Sequence, residues 1–269
     1  MKSITEKRPV ILAVSFGTSF GSTRSVTIGA IESTLAESFP DWEVRRAFTS
    51  NMIRKKLKER DGILTDSVPE ALEKLAAEGV KTVVIQPTHM LEGDEYDKKI
   101  VAPAAGFAGR FESLKIGHAL LTEDADYEQL AQIVIEKCPD PSCTYVYMGH
   151  GTEHSANAAY RKLQECIEKA GAGNIFIGTV EAEPTVEDML AAAQKAGSKK
   201  VVLTPLMIVA GDHATNDMAG DDEDSWKNQF KKAGYEVTCR IEGLGSLYEV
   251  QKMIAQHCLM SLTKNSTAL

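Results

Sequence analysis

Short runs rich in β-branched residues recur along the chain: Val10 to Val14, Val44 to Phe48, Thr82 to Ile85 and Leu114 to Ile116, then Tyr145 to Met148, Ile175 to Ile177, Val201 to Leu203 and Val237 to Ile241. Longer stretches of helical composition separate them, so the pattern predicts four strands in each half, each followed by a helix. Such alternation marks parallel βα units joined by right-handed crossovers. Gly79 and Gly197 stand just before the third strand of their halves, where helix-ending C′ glycines are expected. The expected fold is therefore α/β, with two similar Rossmann-like domains, each a four-stranded parallel sheet flanked by helices, and a cleft between them. Pro139 and Pro141 punctuate the stretch 122–142, and the boundary is set at 1–125 and 126–269, with the last helix free to pack across onto the first domain.

The two halves also repeat in sequence. Residues 68–94 align without a gap on residues 186–212, and nine of the 27 positions are identical, against about two expected from average composition. The next residue differs, Glu95 in the first copy and His213 in the second. Ser15-Phe16-Gly17-Thr18 likewise matches Gly149-His150-Gly151-Thr152. A duplicated scaffold that differs by two imidazoles points to a metal or proton-transfer site in the second half.

Ligands of open parallel sheets bind beyond the carboxyl ends of the strands. The residues there are Ser15 to Thr18, Thr49, Pro87 to Gly93, Gly149 to Thr152, Glu181 to Pro184 and Pro205 to His213. Three of the six histidines, His89, His150 and His213, fall in these loops. Glu181 follows the strand Ile175 to Ile177 through Gly178-Thr179-Val180, which is expected to put a carboxylate at the cleft edge beside the strand that carries His150. His118, His154 and His257 read as structural, with His257 expected at the surface of a C-terminal amphipathic helix. His150-Gly151-Thr152-Glu153-His154 matches the H-x-x-E-H zinc-protease signature, which requires a helix that puts both imidazoles on one face. A histidine that ends a predicted strand and precedes glycine argues against that reading. No P-loop, G-x-G-x-x-G fingerprint or G-x-S-x-G elbow occurs, so nucleotide binding and serine hydrolysis lack support.

Composition narrows the partners. A chain of 269 residues with 43% hydrophobic and 25% charged positions is that of an ordinary globular protein. A net charge of −8 speaks against nucleic acid, which needs a basic face. Local cations, Arg45-Arg46 and Arg54-Lys55-Lys56, are candidates for holding an acidic small molecule. Five cysteines without a CxxC pair suit a reducing compartment and buried structural thiols. The apolar run from Val10 to Val14 is too short for a signal-peptide core and reads as the first strand of a cytoplasmic protein with no membrane association.

Several longer phrases resemble the anaerobic cobalt chelatases of the class II chelatase family over nearly the whole chain. The carriers are Val14-Ser15-Phe16-Gly17-Thr18-Ser19, Arg46-Ala47-Phe48-Thr49-Ser50, Gly93-Asp94-Glu95-Tyr96, Met148-Gly149-His150-Gly151 and Val180-Glu181. The block from Pro205-Leu206-Met207 through Val209-Ala210-Gly211-Asp212-His213 to Asp217-Met218, ending at Asp224-Ser225-Trp226-Lys227, is the most specific. The resemblance implies a chelatase-like fold and a metal held by His150, Glu181 and His213, with Co²⁺ as substrate metal, sirohydrochlorin as partner and no organic cofactor. His150 and Glu181 carry the catalytic roles it implies. A macrocycle needs broad contact, so Phe16, Gly17, Thr18, His89, Met90, Leu91 and Met207 are expected to bind it. Insertion of Fe²⁺ or Ni²⁺, or a non-catalytic tetrapyrrole or metal carrier, stays open as an alternative, as does a homo-oligomer.

Overall fold

The computed structural model describes residues 7–263. It divides into two compact units, one formed by residues up to Leu120 together with those from Gln251 onward, the other by Leu121–Val250. The break thus falls slightly before the 125/126 boundary read from the sequence, and the helix Tyr248–Thr263 runs into the first unit rather than closing the second.

The first unit holds β1 (Val10–Ser15), β2 (Glu43–Phe48), β3 (Thr82–Pro87) and β4 (Ser113–Ile116), parallel throughout and ordered β2-β1-β3-β4. The second holds β5 (Cys143–Gly149), β6 (Ile175–Thr179), β7 (Lys200–Pro205) and β8 (Glu236–Cys239), ordered β6-β5-β7-β8. All of β1 and β5 is buried, as expected of central strands covered on both faces. The edge strand β2 instead carries Arg45 and Arg46 at half-buried positions, which blunts its free edge. β5 begins two residues earlier than the apolar run suggested, because Cys143 and Thr144 pair with Lys200 and Val201. β8 stops at Cys239, short of the expected Ile241, which is exposed.

The repeat is structural as well as textual. Helices Val68–Ala77 and Val186–Ala196 both open with a capping box, Ser67 with Glu70 and Thr185 with Asp188. Both stop before a left-handed glycine, Gly79 (φ 77°) and Gly197 (φ 80°). Each unit packs its own core: Leu12, Leu72, Val83 and Ile85 among others in the first, and Val146, Leu203, Trp226 and Phe230 in the second.

Candidate metal centre

Three strand ends of the second unit converge. β5 delivers His150, β6 delivers Glu181 through the loop after Thr179, and the segment after β7 delivers His213 at the start of the π-helical turn Ala214–Met218. Each offers one ligand atom, and these atoms lie within 4.8 Å of one another. Among the described residues no other group of three or more His, Cys, Asp or Glu side chains is so arranged. The imidazoles of His150 and His213 stand edge to face with centroids 4.6 Å apart. His150 and Glu181 are exposed and His213 is half-buried, so an ion bound there keeps faces open to incoming ligands.

The loops are braced for this approach. Glu181 donates its backbone N–H to the carbonyl of His150 at 2.8 Å, and Val180 donates to Gly149 at 3.1 Å. That proximity depends on Gly151, at φ +86°, where a Cβ would lie 2.8 Å from the backbone nitrogen of Ala182. Thr179 Oγ1 donates to the carbonyl of Ala182 at 2.5 Å, and Asn157 ties the two loops by accepting from Thr152 N and donating to the carbonyl of Glu183. The phenol of Tyr160, which burial pushes above its ordinary pKa, stays neutral and accepts from Gly151 N at 3.4 Å.

Hydrogen bonding assigns the tautomers. His150 Nδ1 lies 2.9 Å from the carbonyl of Gly151, and His213 Nδ1 lies 2.6 Å from Asp217 Oδ2. Carbonyls and carboxylates accept only, so Nδ1 carries the proton on both rings and each Nε2 presents its lone pair. Glu181 Oε2 is 3.6 Å from His150 Nδ1, too far for a hydrogen bond.

The register of the two sheets identifies what occupies the same places in the first unit. Val83 and Val201, aligned by the repeat, pair with Val10 and Thr144, which sets Phe16 at the position of His150. Ser50 N donates to the carbonyl of Phe16 at 3.2 Å as Glu181 N does to that of His150, so Ser50 matches Glu181. Glu95 matches His213 by sequence. The first unit therefore presents Phe16, Ser50 and Glu95 where the second presents two imidazoles and a carboxylate.

The remaining candidates are dispersed over the two units. Phe16 is 48% exposed at the end of β1. Gly17 and Thr18 are buried behind it, Gly17 at φ +102° against the Phe48 ring, and Thr18 accepting from Phe20 N through its hydroxyl and from Arg24 through its carbonyl. Met90 and Leu91 are half-buried after β3. His89 keeps both ring nitrogens buried without a hydrogen-bond partner, and burial pushes its pKa down to about 4. Met207, the counterpart of His89, is partly buried against the second unit's core.

Several expectations change. His150 follows a strand and His154 caps the short 3₁₀ turn Ser155–Asn157, its Nδ1 accepting from Ala156 N, so the H-x-x-E-H residues share no helix. His257 is 3% exposed rather than on the surface, because the buried positions Val250, Met253, Ile254, His257 and Cys258 fall on one face of its helix. Of the cations proposed for an acidic ligand, the three arginines are already paired, Arg45 with Glu43 and Glu78, Arg46 with Glu32 and Arg54 with Glu70, whereas Lys55 reaches Glu59 only at 3.9 Å. Of the five free cysteines only Cys143 and Cys258 are fully buried; partial burial pushes the Cys138 thiol up to about 11 and full burial that of Cys258 up to about 12, leaving both protonated near neutrality. Asp217 and the braces Asn157 and Tyr160 escaped the sequence reading. The four-residue spacing of His213 and Asp217 was the available signal for the first.

A family profile described as cobalt chelatase (CbiK) matches residues 9–263. The sirohydrochlorin cobaltochelatase of Salmonella typhimurium is 42% identical over 260 residues, covering 95% of this chain and 97% of its own length. The sirohydrochlorin cobaltochelatase CbiKC of Nitratidesulfovibrio vulgaris is 34% identical over 228 residues, covering 83% and 80%. Among solved structures, SirB from Bacillus subtilis with Fe³⁺ shares the fold with a TM-score of 0.64 at 13% identity, over 96% of each chain.

Proposed function

The chain belongs to the cobalt chelatase (CbiK) family, and on that premise we propose that it inserts Co²⁺ into sirohydrochlorin. The observation that supports this most is the convergence of His150, Glu181 and His213 at three strand ends of one unit.

Insertion strips water from a divalent cation, passes it to four ring nitrogens and releases two pyrrole protons. Neutral imidazole suits a borderline ion such as Co²⁺. With Nδ1 protonated, His150 and His213 offer Nε2 to the ion, and Glu181 adds a negative charge that offsets part of the dication's while coordination positions stay open for the macrocycle. As the metal moves to the ring, each ligand regains a lone pair. His150 Nε2 then accepts one pyrrole proton and the Glu181 carboxylate the other, both passing to water, so that one Co²⁺ enters as two H⁺ leave. Phe16, His89, Met90, Leu91 and Met207 supply contact to the macrocycle, while Gly17 and Thr18 shape the turn that presents Phe16. Free thiols are in keeping with a reducing, cytoplasmic setting. Among the described residues no helix is long and apolar enough to cross a membrane.

The test is the change in the visible spectrum of sirohydrochlorin on adding Co²⁺ and protein, run in parallel with Fe²⁺ and Ni²⁺. Product beyond one equivalent per chain excludes a stoichiometric carrier. His150→Ala and His213→Ala are each expected to slow insertion by roughly a hundredfold, the scale of a lost acid–base group. Wild-type rates in both variants would refute the assigned residues.

A further inference from the structure

The two imidazoles of the triad are held differently. His150 Nδ1 meets a neutral backbone carbonyl, that of Gly151 at 2.9 Å, and nothing charged within hydrogen-bond reach. His213 Nδ1 meets the carboxylate of Asp217 at 2.6 Å, one turn along the π-helical segment that His213 opens. Charge-assisted bonds of this length are roughly twice as strong as neutral ones. We propose that Asp217 is a positioning residue that fixes His213 as the Nε2-ligating tautomer and makes it the anchoring ligand, leaving His150 as the imidazole that lets go of the ion. The proposal rests on the reading of the triad as the metal-binding group.

Three observations converge on this role. His213 takes helical dihedrals at the start of its turn (φ −60°, ψ −41°), so its side chain and that of Asp217, four residues on, rise on one side of the segment. Ala214 and Met218, which flank them, are buried and pin the turn to the unit's core. Asp217 makes no ion pair with a lysine or arginine among the described residues, so the imidazole is the partner its carboxylate holds. A carboxylate that accepts the second N–H of a ligating imidazole orients the ring and strengthens it as a donor to the metal, and removing such a partner costs about 10–100-fold in metal affinity. Both side chains keep some exposure, 34% for His213 and 47% for Asp217, and water weakens the bond, so the lower end of that range applies.

The experiment uses the full chain and Co²⁺ alone, with no tetrapyrrole, and follows the visible ligand-field absorption of the bound ion. Asp217→Ala is expected to weaken Co²⁺ binding by roughly tenfold. Asp217→Asn, whose amide oxygen still accepts from Nδ1–H, should recover most of that loss. A readout independent of affinity is the ¹⁵N spectrum of the metal-free imidazoles at a pH where they are neutral. His213 should be the Nδ1–H form in the wild type and in Asp217→Asn, and a mixture of tautomers in Asp217→Ala, while His150 is unchanged in all three. An unaltered His213 tautomer and unaltered Co²⁺ affinity in Asp217→Ala would overturn the positioning role while leaving the triad in place. If His213→Ala also leaves Co²⁺ binding untouched, it is the metal-site reading itself that fails.

Discussion

Two single residues test how closely chemistry and backbone are coupled. Gly151 sits at φ +86°, where a Cβ would lie 2.8 Å from the nitrogen of Ala182. Gly151→Ala therefore meets both a left-handed backbone penalty of about 1–2 kcal/mol and a backbone clash, and should lower stability by on the order of 2 kcal/mol while abolishing Co²⁺ insertion. Urea unfolding and the insertion assay read the two effects separately. His89 is expected to set an acid limit on stability. Its pKa is lowered to about 4 in the folded state by burial, against about 6.5 when unfolded. A base whose folded pKa is depressed favours the native state above the unfolded value, so stability should be fully present near pH 7, fall from about pH 6.5 to about pH 4, and level off below, a change on the order of 3 kcal/mol at most. In His89→Leu, with no ring nitrogen left to bury, the urea midpoint should lose that component of its pH dependence and equal or exceed the wild type's at pH 5. At this scale His150 and His213 were legible because a duplicated phrase differed at those places. Ser50 as the counterpart of Glu181 was not, since Thr49-Ser50 and Val180-Glu181 share no residue and only a matching backbone hydrogen bond relates them.

Among the elements, the helix Val186–Ala196 begins six residues after Val180, whose loop nitrogen is fixed, and its capping box closes the segment that carries Glu181. Thr185→Ala removes one half of that box and should cost about 1 kcal/mol. It should also raise the hydrogen-exchange rates of amides in residues 180–185 more than those of Ser67→Ala raise the same amides, because Ser67 caps the matching helix of the other unit. Strands were readable from β-branched runs, since burial on both faces leaves a parallel strand little else to be. Their ends were less so: Cys143 and Thr144 look unlike a strand start, and Ile241 looks like a continuation although no partner strand reaches it. The π-helical turn after His213 carries no sequence signature at all, because its widening is decided by how Ala214 and Met218 bury.

On the scale of the whole molecule, the helix Tyr248–Thr263 passes into the first unit at Gln251, where Thr34 Oγ1 donates to Gln251 Oε1 at 2.9 Å in a buried setting. Gln251→Leu leaves that hydroxyl without its acceptor and should destabilise the first unit by about 1–3 kcal/mol. Exchange of amides in residues 10–116 should quicken, whereas Co²⁺ affinity at His150, Glu181 and His213, all in the other unit, should not change. The sequence allowed the last helix to cross over but could not require it, because an amphipathic helix states that one face is covered and not by what. The crossing orders events on the ribosome. Residues 121–250 form an uninterrupted excursion that is fully synthesised while the first unit still lacks residues 251–263, and domains complete as their chain emerges. The half of the molecule that carries His150, Glu181 and His213 is therefore continuous in sequence, whereas the other half is completed only by a segment synthesised after it.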